Sequence, residues 1–260
     1  MKRCFSGILD KCNELGYAPD PTTVITDFEQ AVFSALRATF GQHVNSRGCF
    51  YHLTQNTWRK VQELGLTDLY KTDERVRLFC GMLDGLALLP VLEVSSGMDY
   101  MKANTPAGLE ELVDYFDNTY VSGTYRRVQP PPAQPGGVLP PVRMRRTPPM
   151  LPPHLWNVHE ATIQNEDRTN NLCESWNYGF QQLIGHNHQS VWTAIYCLRK
   201  DQALVAAALL ADSRGAPPTK RVKRATRDLQ VRLRNLCSDI ASGRRNVEVF
   251  PSWCWTLYTV

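Results

Sequence analysis

The sequence predicts an α/β chain interrupted by a large all-helical section, on three observations. First, Thr23-Val-Ile-Thr26 is a β-branched run of the kind that suits a short strand in a parallel sheet, with a single acid, Asp27, at its tip. Second, Phe28, Ala31, Val32, Ala35, Leu36 and Phe40 recur at helical spacing before Gly41, and a strand-like piece follows from His43 to Phe50. Third, several further helical periods come after His52 with no clear strand between them, which reads as a helical insertion.

The chain opens on Phe5, Ile8, Leu9 and Cys12 at helical spacing, with Leu15 after them and Gly16 placed to end the helix. Pro19-Asp20-Pro21 feeds the strand at Thr23. After the second strand, Trp58, Val61 and Leu64 mark one helix. Val76, Phe79, Cys80, Leu83 and Ala87 mark another that Pro90 ends, and Leu109, Leu112, Val113, Phe116 and Tyr120 mark a third. Val128 to Pro153 holds ten of the seventeen prolines, interrupted by Arg143, Arg145 and Arg146, and is expected as an extended loop. A proline-rich ligand for a partner domain is the other reading of that stretch.

Order resumes at Leu155-Trp156-Asn157-Val158. A helix over Arg168–Gly185 places Leu172, Trp176, Phe180 and Leu183 on one face and Glu174 away from it. Helices over Ser190–Ala211 and Thr219–Ser242 complete the chain, the last packing through Val222, Ala225, Leu229, Leu233, Leu236 and Ile240. The expected divisions are 1–65 (strand-bearing core), 66–127 (helical insertion), 128–153 (proline-rich loop), 154–212 (return to the core with the glutamate-bearing helix) and 213–260 (basic helix and tail).

At 260 residues, 43% hydrophobic and 21% charged, the chain can bury a sizeable core in one or two domains. No run of eighteen apolar residues is present, so a membrane-spanning reading is set aside. The opening Met1–Asp10 lacks the apolar region of a secretory signal. The eight cysteines are scattered with no Cys-x-x-Cys, so reduced thiols are expected rather than a disulfide framework.

Three constellations could carry chemistry. A strand-end Asp27 and a helix-borne Glu174 suit a hard divalent cation, which carboxylates and substrate phosphates hold together. The alternatives are a helix N-cap for Asp27 and a solvated helix position for Glu174. Cys49-x-x-His52 is half of a zinc site, to which His186 and His188 could add, or else a buried thiol beside a hydrogen-bonded histidine. Lys220, Arg221, Lys223, Arg224 and Arg227, with Arg232 and Arg234, put seven cations against one acid, Asp228, in fifteen positions. Such a helix attracts phosphates and can serve as a nuclear localisation signal, or can be an ordinary solvated face.

Taken together, Val24-Ile-Thr-Asp27-Phe-Glu, Gly48-Cys-Phe-Tyr-His52-Leu, Tyr115-Phe-Asp-Asn-Thr-Tyr-Val121, Leu155-Trp-Asn-Val158 and Arg168-Thr-Asn-Asn-Leu-Cys-Glu174-Ser-Trp176 resemble the transposase domain of Mutator-like elements. The five blocks stand in the family's order across roughly Thr23 to Lys200. The resemblance implies a partial ribonuclease-H-like core with a helical insertion, and metal-dependent DNA cleavage and strand transfer using Mg²⁺ or Mn²⁺. It implies that Asp27 and Glu174 are the second and third metal-binding acids, and that Cys49 and His52 lie near the catalytic centre. DNA as partner, a nuclear location and an oligomer are implied with it. The first acid of such sites lies on a strand upstream of the opening helix, and neither Asp10 nor Asp20 is placed to replace it. The expectation is therefore an N-terminally truncated, catalytically incomplete piece, with a non-catalytic DNA-binding or regulatory protein as the rival.

Overall fold

The computed structural model describes residues 1–128, 143–185, 190–215 and 223–245, in two compact units. One comprises Met1–Thr169 with the described residues from Leu229 on, and the other Asn170–Asp228. Among the described residues, no helix is long and apolar enough to cross a membrane.

In the first unit, α1 (Lys2–Glu14) lies on α2 (Gln30–Phe40) through an edge-to-face contact of Phe5 with Phe40, ring centroids 6.0 Å apart. Between them runs β1 (Thr23–Thr26), and after α2 comes β2 (Asn45–Gly48), parallel to it in the register Thr23↔Asn45 to Thr26↔Gly48. This β-α-β crossover matches the expected strand, helix and strand, although α2 begins at Gln30 rather than Phe28. The reason is tertiary: Phe28 is drawn aside to pack over β2 and against Tyr120, 6.4 Å between ring centroids.

The helical section follows as α3 (Phe50–Glu63), α4 (Thr67–Thr72), α5 (Glu74–Gly85), α6 (Val94–Ala103) and α7 (Glu110–Phe116), the last widening into a π-helical turn over Asp117–Val121. Asp73 caps α5 by accepting from the Arg75 amide, 2.8 Å, a fit to the N-cap preference for Asp. From Phe79 to Leu89 every residue is buried, through α5 and the tight 3-10 turn Leu86–Leu88. Such a segment has no solvent face and forms the centre of the core.

The section is not helical to its end. Thr124–Val128 forms β3 and pairs antiparallel with β4 (Arg143–Thr147), so the loop expected over 128–153 contains a strand. Residues 129–142 of that stretch lie outside the described residues. The chain then returns as α8 (Pro153–Trp156) and α9 (His159–Gln164). Here Val158 donates its amide to Ala87, Asn157 donates its side-chain amide to the Leu89 carbonyl (2.7 Å), and the His159 ring meets the Leu88 carbonyl (2.7 Å). These bonds satisfy carbonyls that the end of the α5 segment leaves without helical partners.

The second unit is a helical hairpin of α10 (Asn171–Ile184) and α11 (Val191–Ser213). Gly185, at φ +88, ends α10 in the left-handed conformation, and the Ser190 hydroxyl caps α11 by accepting from the Thr193 amide. Trp176 stacks on Phe180 at 5.2 Å, while Leu172, expected on the same packed face, is 81% exposed. The final helix, α12 (Arg224–Ala241), buries Leu233, Cys237 and Ile240, and its Ala225 is exposed. Val222 lies outside the described residues.

The protein is therefore a mixed α/β molecule, mostly helical, with one parallel and one antiparallel pair of strands among the described residues. Seven cysteines are free thiols, and Cys254 lies outside the described residues.

Candidate functional site

The parallel pair brings the ends of β1 and β2 side by side. Asp27 follows β1 directly, Cys49 follows β2, and the Cys49 amide donates to the Thr26 carbonyl, 2.8 Å. Gly48 makes this join possible, because an added Cβ there would sit 2.1 Å from the Phe28 ring. Cys49 is the N-cap residue of α3 and is fully buried. His52, in the first turn of α3, places Nδ1 3.2 Å from Asp27 Oδ1. The Asp27 side chain is 61% exposed and that of His52 21%, so the pair opens to solvent on the carboxylate side.

Asp27 is therefore not the cap of α2. That position is held by Glu29, whose side chain makes no capping bond, and the Asp27 carboxylate is turned to His52 instead. The start of α3 is fixed from a third direction, since the Phe50 amide donates to the Arg168 carbonyl, 2.9 Å. The Arg168 guanidinium is half-buried, and that desolvation pulls its pKa below the usual arginine value. It donates to Gln230 Oε1 at 2.5 Å and to the Thr162 hydroxyl at 3.5 Å. Nearby, Arg47 pairs with Glu166 at 3.0 Å.

Sequence reasoning singled out the arginine only as part of a longer block. The functional groups it missed are this anchoring role and the roles of Asn157 and His159. All three depend on carbonyls or amides far away in the chain.

A carboxylate against an imidazole at a half-open surface can orient the ring and exchange a proton with a bound group. As a cation site it offers one carboxylate and one nitrogen. Mg²⁺ prefers several oxygen ligands in an octahedron, and paired ions need more carboxylates than Asp27 supplies. Among the described residues, no group of three or more His, Cys, Asp and Glu side chains could hold a metal ion. The Asp27–His52 pair alone therefore does not fit a two-ion centre. Cys49, with no exposed surface, is held as a buried thiol at the strand end. His186 and His188 lie outside the described residues. Glu174 sits in the first turn of α10, in the second unit, where Trp176 Nε1 also donates to Asp201, 2.9 Å.

Of the basic cluster, Lys220 and Arg221 lie outside the described residues. Lys223, Arg224 and Arg227 are exposed at the start of α12, Arg224 lying 3.7 Å from Asp228 one turn on. An exposed pair of that length leaves the arginine available to a phosphate. Replacing Lys223, Arg224 and Arg227 with Ala should flatten the dependence of log affinity for duplex DNA on log salt by about 2–3, at roughly 0.9 per phosphate contact. The measurement is a titration at several salt concentrations, and an unchanged slope would return this face to plain solvation.

No family model matches this chain, and no curated protein or solved structure does either.

Proposed function

We propose that the chain derives from a Mutator-like DNA transposase and is built on part of a ribonuclease-H-like core, with a site that its own acids leave catalytically incomplete. The observation that carries the reading is the meeting of Asp27, at the end of β1, with His52 of the Cys49-x-x-His52 block that follows β2. Two of the five blocks on which the sequence resemblance rests thus meet at the carboxyl ends of parallel strands, where open α/β sheets bind ligands.

In the parent chemistry Mg²⁺ or Mn²⁺ would be held by carboxylates, with Asp27 and Glu174 as this chain's contributions. The partner is DNA, the setting the nucleus, and assembly into an oligomer goes with the reading. The second reading, a non-catalytic DNA-binding or regulatory protein, is favoured by the exposed Lys223, Arg224 and Arg227.

Catalysis by this chain alone is expected to fail. Two ions clamp the attacking and leaving oxygens, and one ion held by two acids cannot do both. Purified protein incubated with supercoiled plasmid and Mg²⁺ or Mn²⁺ should leave the plasmid intact. Nicking that disappears in the Asp27→Asn, Glu174→Gln double variant would show a complete site and sink the incomplete-site reading.

A further inference from the structure

The β3–β4 ribbon carries an unusual charge pattern. Its ten residues include Arg126, Arg127, Arg143, Arg145 and Arg146, all exposed, and no acid. The sequence has no Asp or Glu anywhere between Asp117 and Glu160. With a whole-chain net charge of only +4, these five arginines leave the rest of the protein with no net positive charge. The register sets Arg126 directly opposite Arg145, a like-charge cross-strand pair that costs stability when nothing neutralises it. Among the described residues, none of the five is paired with a carboxylate.

The ribbon is also firmly rooted. At its base Gly123, at φ +76, lies so close to the returning strand that a Cβ would meet the Thr147 carbonyl at 2.1 Å. Arg146 Nε donates to the Ser122 carbonyl at 3.0 Å, which fixes its stem and leaves the rest of the guanidinium for another partner. Beyond Thr147 the chain is tied down again, Leu151 donating to the Thr119 carbonyl and accepting from the Trp156 indole.

We infer that this ribbon is a docking element for the sugar–phosphate backbone of duplex DNA, seated in or across a groove. The inference rests on the DNA-binding part of the reading above and adds a surface to it. Guanidinium forks match phosphate oxygens in pairs, and an all-arginine choice over lysine suits that geometry. The major groove admits a two-stranded β-ribbon. Arg143 and Arg145 share one face of β4 about 6.8 Å apart, two residues at roughly 3.4 Å each. Two base-pair steps rise the same distance along the duplex axis, at about 3.4 Å per step. Arg126 joins them from β3, while Arg127 and Arg146 lie on the opposite face with Tyr125 and Met144. Single strands are gripped instead by successive aromatic platforms, and Tyr125 is the one ring on the ribbon.

The test is fluorescence anisotropy of a labelled 20-base-pair duplex with the full chain, in EDTA, across a series of salt concentrations. Changing all five arginines to Gln should weaken binding at low salt at least 30-fold and lower the salt slope by about 3–4. A five-fold Arg→Lys variant should retain most of that slope. A separate variant, Arg126→Glu, turns the like-charge pair with Arg145 into an ion pair. It should raise the unfolding midpoint while weakening DNA binding at least tenfold, two shifts of opposite sign that misfolding cannot produce. If the five-fold Arg→Gln variant and the Arg126→Glu variant bind duplex DNA with unchanged affinity and slope, the ribbon inference is overturned while DNA binding stands. If the unmodified chain binds phosphatidylserine vesicles but no duplex, both this inference and the DNA reading fall.

Discussion

Trp156→Ala should remove about 3–5 kcal/mol from the stability of the first unit, the usual cost of truncating a buried tryptophan. The indole is fully buried and meets Phe116 and Tyr120 edge-on, at 5.9 and 6.2 Å between ring centroids. Tyr120 in turn lies 4.9 Å from Phe116 and 6.4 Å from Phe28, the residue next to Asp27. Nε1 is shared between the carbonyls of Tyr120, at 3.1 Å, and Leu151, at 2.9 Å. One side chain therefore ties the π-helical turn after α7, the root of the ribbon and α8 together. Against the 5–15 kcal/mol total of an ordinary domain, a loss of this size approaches global unfolding. Trp156→Phe separates the terms, since it keeps a ring but strips two buried carbonyls of their donor, at about 1–3 kcal/mol. Equilibrium urea unfolding read by near-ultraviolet circular dichroism measures both. A Trp156→Ala loss below about 1 kcal/mol would show that the aromatic cluster repacks freely and is not what holds the unit together.

The meeting of Asp27 and His52 was legible because parallel strands put their carboxyl ends on one edge, and both residues follow strand ends in the sequence. The β-branched Val24 and Ile25 and the helical period through Phe40 are local signals, and they located β1 and α2 to within two residues. The true start of α2 was not legible, because Phe28 leaves the helical pattern for a contact across Gly48 that sequence spacing cannot express. The ribbon was hidden for a different reason. Thr124-Tyr-Arg-Arg-Val128 and Arg143-Met-Arg-Arg-Thr147 are exposed on both faces, so neither strand shows the apolar alternation that marks a half-buried strand. The prolines beside them carry the stronger local signal, and it is one for loop. Asn157 stands in the sequence only as part of the Leu155–Val158 block, and His159 carries no signal at all, because the carbonyls they satisfy, on Leu89 and Leu88, lie about seventy positions earlier.

Gly48→Ala should destabilise the strand pair by about 1–3 kcal/mol, although the exchange adds a single methyl group. On backbone entropy alone the sign would be opposite, since Gly→Ala at an unstrained position stabilises by roughly 0.4–1 kcal/mol through the unfolded chain. The steric term decides. The new Cβ would stand 2.1, 2.6 and 2.7 Å from three atoms of the Phe28 ring, well inside contact distance. That ring is partly buried against the core and has Tyr120 on another side. Expelling it would drag the adjacent Asp27 away from His52, so the 3.2 Å pair should loosen along with the fold. A double-mutant cycle with Phe28→Ala isolates the clash, because removing the ring should bring the Gly48→Ala cost to zero or below. Urea unfolding of the four proteins gives the coupling, and His52 ring resonances by NMR report whether the carboxylate stays in place. A neutral or stabilising Gly48→Ala in the presence of Phe28 would mean the ring moves aside without cost, and Gly48 would then not be what sets Asp27 against His52.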